Sequence, residues 1–236
     1  MRFVFLSVVL ALGSSVFARD EPAATKPPAK AERPLIPQVA REAATEGNAA
    51  FLRKDYAVAR KAYEKLLGLA PDNMAGLINL GMVEFAAGNF AAADKTLKRA
   101  LSIELSNASA WQTLGIMEME QGHLDAALAN LAQAALYDPP NARTRNYLGV
   151  VMGRKKWIDG AQDELRKAVE IDPDFADAHF NLAMSYLEND PPAIELARRH
   201  YYRAVDLGAA ADPEVEKILK TAPAPEGGET PAAKNK

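Results

Sequence analysis

The sequence predicts an all-α fold of about five stacked helix pairs, closed by a short C-terminal helix. Three observations predict it. First, Gly47, Gly81, Gly115 and Gly149 recur every 34 residues. Further columns keep the same step: Ala59, Ala93, Ala127 and Ala161; Tyr63, Leu97, Leu131 and Leu165; and Pro71, Pro139 and Pro173, with Leu105 at the missing proline. Agreement among independent columns marks a true internal repeat. Second, each block splits into two apolar-periodic runs of about fourteen residues, a common length for a globular helix. Third, the aromatic content is only 7% while alanine is abundant, which favours helix over sheet.

The elements follow in chain order. Residues 1–18 (MRFVFLSVVLALGSSVFA) carry Arg2, then an apolar stretch from Phe3 to Leu12 that is short for a bilayer span. Val16 and Ala18 then stand at the small-residue positions of a cleavage site, so a secretory signal peptide is expected, with an uncleaved anchor as the alternative. Residues 19–37 are rich in Pro, Ala and Lys without apolar periodicity and read as a flexible tether. Five units then span 40–73, 74–107, 108–141, 142–175 and 176–209.

One unit is readable from its side chains. In the third, Trp111, Leu114, Gly115 and Glu118 share a face of the first helix (A), and Leu124, Ala127, Leu128, Leu131 and Ala134 share a face of the second (B). The glycines and alanines remove side chains where A and B cross. Because Gly costs about 1 kcal/mol inside a helix, close packing must offset it. Gly88-Asn89 and Gly122-His123 separate A from B, and the pairs Asp72-Asn73, Ser106-Asn107 and Pro140-Asn141 offer N-caps to the next A helix. No single unit can bury its own apolar stripe, so the units must stack.

Other positions depart from the pattern. Ala43 and Glu46 stand where the first unit would carry large apolar residues, consistent with an outward-facing cap. The fourth unit has Arg145 in the Trp111 column and Lys156 in the turn-glycine column. The fifth has Ala183 for Gly, and Pro191-Pro192 lengthen its turn by about two residues before Ala197, Tyr201 and Ala204 resume the pattern. Asp212 as N-cap, Pro213 at the first helical position and the Val215, Ile218, Leu219 face predict a capping helix over 213–220, with a frayed end as the alternative. From Thr221 to Lys236 the chain reads as a disordered tail.

With Trp111, Leu114, Gly115, Ala127, Leu131, Ala134 and Pro139 all in phase, the sequence resembles the tetratricopeptide repeat (TPR) family. The resemblance implies a right-handed α-solenoid whose A helices line a concave groove, with repeat positions 2, 5, 9, 12 and 13 looking into it. Position 9 reads Asn48, Met82, Ile116, Val150, Met184, and position 12 reads Phe51, Phe85, Met119, Gly153, Leu187. This largely apolar, Met-bearing stripe suits a helical or extended apolar segment of a partner. The same side chains could instead pack against the neighbouring A helix as core. Of the residues with which some family members grip a C-terminal carboxylate, only Asn48 and Asn79 match. Ala44, Ser109 and Thr113 fill the cationic positions, so no carboxylate clamp is expected.

Several chemistries are excluded or unsupported. The chain has no cysteine, hence no disulfide, thiolate metal site or thiol nucleophile. His123, His179 and His200 share no ligand spacing, neither HExxH nor GxSxG occurs, and Gly227-Gly228 forms no phosphate loop. No cofactor, metal or enzymatic activity is expected. A net charge of −3 argues against nucleic acid. Arg143, Arg145, Arg154, Lys155 and Lys156 make the fourth unit locally basic and read as a solvated surface rather than an acidic-partner site. The expected function is an exported scaffold or adaptor, most simply periplasmic, that binds a protein or peptide. It would touch a membrane only through an uncleaved signal segment. The alternatives are a self-associating assembly subunit and an accessory subunit of an envelope enzyme.

Overall fold

The computed structural model describes residues 38–221. The expected signal peptide, the tether and residues 222–236 of the tail lie outside the described residues. Within these there are eleven α-helices and no strand: α1 (Gln38–Leu52), α2 (Tyr56–Leu69), α3 (Met74–Ala86), α4 (Phe90–Ile103), α5 (Ala108–Glu120), α6 (Leu124–Tyr137), α7 (Ala142–Arg154), α8 (Ile158–Ile171), α9 (Ala176–Leu187), α10 (Ile194–Asp206) and α11 (Pro213–Thr221). Odd numbers up to α9 are A helices and even numbers are B helices. None of the described helices is long and apolar enough to cross a membrane.

Of each expected capping pair, the asparagine is the residue that caps. Asn73 Oδ1 accepts from the Gly76 N–H at 2.8 Å, Asn107 Oδ1 from Ala110 at 3.1 Å, and Asn141 Oδ1 from Thr144 at 2.9 Å. Each such cap stabilises its helix by about 1 kcal/mol. The A–B turns need a left-handed residue at one position, which Gly88 (φ 79°) and Gly122 (φ 81°) supply without strain. Lys54 (φ 61°) and Lys156 (φ 63°) adopt the same conformation in the same column, where a side chain costs roughly 1–2 kcal/mol.

The described residues divide into two compact units, with the boundary between Ala93 and Asp94. In the first, α1 packs on α2 and α2 on α3. Ala40, Ala43, Ala50, Ala59, Tyr63, Leu66 and Val83 form its core. Ala43 is therefore buried, as its small size allows a close crossing, whereas Glu46 is exposed. Arg60 grips Glu84 through both carboxylate oxygens, at 2.5 and 2.7 Å, and Asn89 Nδ2 donates to Glu84 Oε2 at 2.8 Å. The Arg60 hydrogen bond holds the buried Glu84 carboxyl below the usual carboxylate range. A buried carboxylate is tolerated only when paired and hydrogen-bonded in this way.

In the second unit each helix packs on the next from α5 to α10, and α5 also touches α7, as α7 touches α9. The core runs through Met119, Ala127, Leu131, Leu148 and Val151, then through Leu165, Leu182, Tyr186, Leu187, Tyr201, Val215 and Leu219. The repeat glycines are sockets for one B-helix column. A Cβ on Gly47 would lie 2.8 Å from Tyr63 Cζ, one on Gly115 2.6 Å from Leu131 Cγ, and one on Gly149 2.5 Å from Leu165 Cγ. The side chain facing each glycine is thus the Tyr63, Leu131, Leu165 column rather than the neighbouring alanines. In the fifth unit Ala183 and Tyr201 take these roles, Tyr201 two places late because of the Pro191-Pro192 insertion. Leu131 is fully buried. Gly115→Leu is therefore expected to destabilise the chain by about 1–3 kcal/mol through overpacking. An unchanged urea midpoint would rule out this contact.

Arg145, in the Trp111 column, is anchored by Glu164 at 2.9 Å, and Lys156 bonds Glu188 at 3.1 Å. The last helix extends one residue beyond the expected 220: Thr221 belongs to it, its hydroxyl donating to the Lys217 carbonyl at 2.8 Å. Asp212 Oδ1 caps α11, accepting from Glu214 at 2.9 Å and Val215 at 3.3 Å.

Candidate partner-binding face

In the second unit α5, α7 and α9 lie side by side, so their repeat positions form rows across the A-helix face. Position 9 contributes Ile116, Val150 and Met184, all partly accessible. Position 12 behaves differently. Met119 is 2% exposed, packed within the Ala127, Leu131, Leu148, Val151 cluster, and Leu187 is 7% exposed among Leu182, Tyr186 and Tyr201. These two side chains are occupied by helix packing. Arg154 reinforces the closure, its Nη1 donating to the Met119 carbonyl at 2.8 Å. Burial lowers the Arg154 pKa, and Glu120 opposes that shift.

The rows between the apolar positions carry amides. Gln112 Nε2 donates to Thr144 Oγ1 at 2.7 Å, and Asn181 Nδ2 donates to Asn146 Oδ1 at 3.0 Å. They stitch α5 to α7 and α7 to α9. Burial raises the Tyr147 pKa, with the Arg143 charge opposing and Asp177 and Glu120 reinforcing it. The face is thus an apolar row edged by charges of both signs.

In the first unit Asn48 is exposed and Asn79 partly buried. Asn48 Oδ1 accepts from the Tyr63 hydroxyl at 2.5 Å and from Asn79 Nδ2 at 3.4 Å. Met82 is partly accessible; Phe51 leans on Tyr56 and Phe85 on Phe90, with ring centroids 5.9 and 6.1 Å apart. The structure therefore brings Ile116, Val150 and Met184 onto one face of the second unit, and Asn48 together with Asn79 in the first.

Two tetratricopeptide repeat family models match the sequence, one over residues 50–115 and one over 164–195. The chain carries tetratricopeptide repeats over these residues. Solved structures agree on the fold. PilF of Pseudomonas aeruginosa is 18% identical, with 78% of this chain and 85% of that one covered and a TM-score of 0.69. MamA of Desulfovibrio magneticus RS-1 is 17% identical, with 73% and 96% covered and a TM-score of 0.61. YrrB, described as a TPR protein with an unusual peptide-binding site, is 20% identical, with 78% and 92% covered and a TM-score of 0.57. No curated protein sequence matches the chain. The fold class is the all-α TPR solenoid, an architecture that generally serves as a non-catalytic protein-interaction scaffold.

The TPR array also holds a cluster that sequence reasoning missed. His179, from α9, and His200, from α10, meet with Nδ1 atoms 2.9 Å apart. His179 Nε2 lies 3.1 Å from the Pro173 carbonyl, which can only accept, so Nε2 carries the His179 proton. His179 Nδ1 must then accept from His200 Nδ1–H. Burial, followed by the charges of His179 and Arg199, lowers the His200 pKa to about 4. The contact ties the fifth A helix to its B helix. Among the described residues no group of three or more His, Cys, Asp or Glu side chains could hold a metal ion. The amide row had a signal in the sequence: Gln112 and Asn146 occupy the same repeat position 34 residues apart.

Proposed function

We propose that this protein is an exported scaffold of the cell envelope that grips a peptide segment or helix of a partner protein on its A-helix face, without catalysing a reaction. The observation that carries the reading is the row of Ile116, Val150 and Met184. These three apolar side chains stay partly accessible while their position-12 neighbours Met119 and Leu187 are buried. The fold admits such a use, since the similar YrrB is described as having a peptide-binding site. Export rests on the sequence of residues 1–18, and with it the envelope as the place of action.

Magnitudes set the character of the complex. Full burial of one such side chain is worth roughly 1.5–3 kcal/mol, and these are already partly covered. Three anchors offset only part of an association cost of about 4–15 kcal/mol, so the bordering amides and charges must contribute. A partner segment of moderate affinity is expected.

The test is affinity capture from an envelope extract with an Ile116→Glu, Met184→Glu double variant. The variant should lose the partner retained by the wild-type chain while its circular dichroism and thermal midpoint stay near wild type. Undiminished capture would remove the A-helix face as the binding surface.

A further inference from the structure

The internal repeat exposes one position where a guanidinium gives way to a carboxylate. Arg60, Glu84 and Asn89 of the first unit fall 34 residues before Asp94, Glu118 and His123 of the second. In the first unit the three form a closed set: Arg60 binds Glu84 through both oxygens and Asn89 meets Glu84 Oε2. One repeat later the carboxylate is kept and so is its small partner, since His123 Nδ1 lies 2.7 Å from Glu118 Oε2. The guanidinium is replaced by a second carboxylate, Asp94. The next two repeats carry Leu128 with Met152 and Gln162 with Tyr186 in these columns, neither pair calling for a cation.

Where the guanidinium is missing the structure is open. A cavity of about 420 Å³ is lined by Asp94, Lys98, Leu105, Trp111, Glu118 and Asn130, among others. The Trp111 indole is pinned there by its Nε1–H, which donates to the Leu105 carbonyl at 2.7 Å. Asp94 is met by Lys98 Nζ at 2.9 Å, but that lysine is 67% exposed and the pair is easily exchanged. Glu118 meets His123 through Oε2, where Glu84 engages Arg60 through both oxygens.

We propose that this cavity is a binding site for a guanidinium group, an arginine side chain presented by a partner protein, which takes the place Arg60 fills one repeat earlier. The planar guanidinium matches a carboxylate with two parallel hydrogen bonds, as the Arg60–Glu84 pair does. An indole beside it adds a cation–π contribution that an ammonium exploits less often. The methylene stem of the arginine would lie along Leu101, Leu105 and Leu114, which line the same cavity. The site uses the Trp111, Leu114, Glu118 stripe of α5 and not the Ile116 row, so it stands independently of the proposed A-helix face.

The chain contains two tryptophans, and Trp157 is half exposed, so a Trp157→Phe background leaves Trp111 as the reporter. N-acetyl-arginine amide is titrated against its fluorescence, with N-acetyl-citrulline amide and N-acetyl-lysine amide as controls. Saturable binding is expected, at least tenfold tighter for arginine than for either control, and weakened at least tenfold by Glu118→Gln. Asp94→Arg should supply the guanidinium within the chain, abolish probe binding and raise the thermal midpoint. A non-saturating response, equal binding of citrulline, or arginine binding unchanged by Glu118→Gln would overturn the assignment. So would an Asp94→Arg variant that binds the probe as the parent does.

Discussion

Met119→Glu is expected to lower folding stability by about 3–5 kcal/mol, the cost of placing an uncompensated charge in a packed interior. The side chain is 2% exposed and enclosed by Ala127, Leu131, Leu148 and Val151, with no cation among them. The backbone above it is closed by Arg154, whose guanidinium donates to the Met119 carbonyl. Three residues away, Ile116→Glu removes only part of one side chain's burial and should cost no more than about 1 kcal/mol. Urea unfolding of both variants separates core from binding surface on the same helix. Similar losses for the two would mean that Ile116 belongs to the packed interior just as Met119 does.

Tyr201→Ala is expected to destabilise by about 3–5 kcal/mol and to release α11. Tyr201 is fully buried, filling the knob position opposite Ala183. Its hydroxyl accepts from the Asp212 N–H at 2.6 Å and donates to the Asp212 carbonyl at 3.1 Å, so it fixes the residue that caps α11. Without it, Val215 and Leu219, 3% and 0% exposed, lose their seat. Tyr201→Phe keeps the ring and should cost only about 1–2 kcal/mol, the share of the two hydrogen bonds. Hydrogen exchange checks the release: amides of α11 should lose protection in Tyr201→Ala well before those of α5 and α6. A variant that keeps α11 protected would show that the terminal helix holds by other contacts.

The architecture was legible because it is written many times over. The 34-residue step, the three capping pairs and the repeat glycines each recur, and each is a local requirement of helix geometry. What a single position faces was not legible. Ile116 and Met119 are both apolar members of one helix turn region, and only the approach of Leu148 and Val151 on α7 makes one of them core. Nor did spacing show that His179 and His200 meet: the Pro191-Pro192 insertion lies between them, and 21 residues of separation match no motif. Arg145 looked like a break in the pattern, yet Glu164 on α8 answers it, a compensation visible only once the helices are paired. The exchange of Arg60 for Asp94 was present in the repeat alignment but gained meaning only with the cavity beside it.

Position-specific photo-crosslinking in cells is the sharpest test of partner binding on the A-helix face. A benzophenone side chain is placed at 116, 150 or 184 on that face, and at 129 or 163, which are exposed on B helices α6 and α8. One common adduct is expected from the three A-helix positions and none from the two B-helix positions. The same adduct from 129 and 163, or none from 116, 150 and 184, would contradict binding on this face.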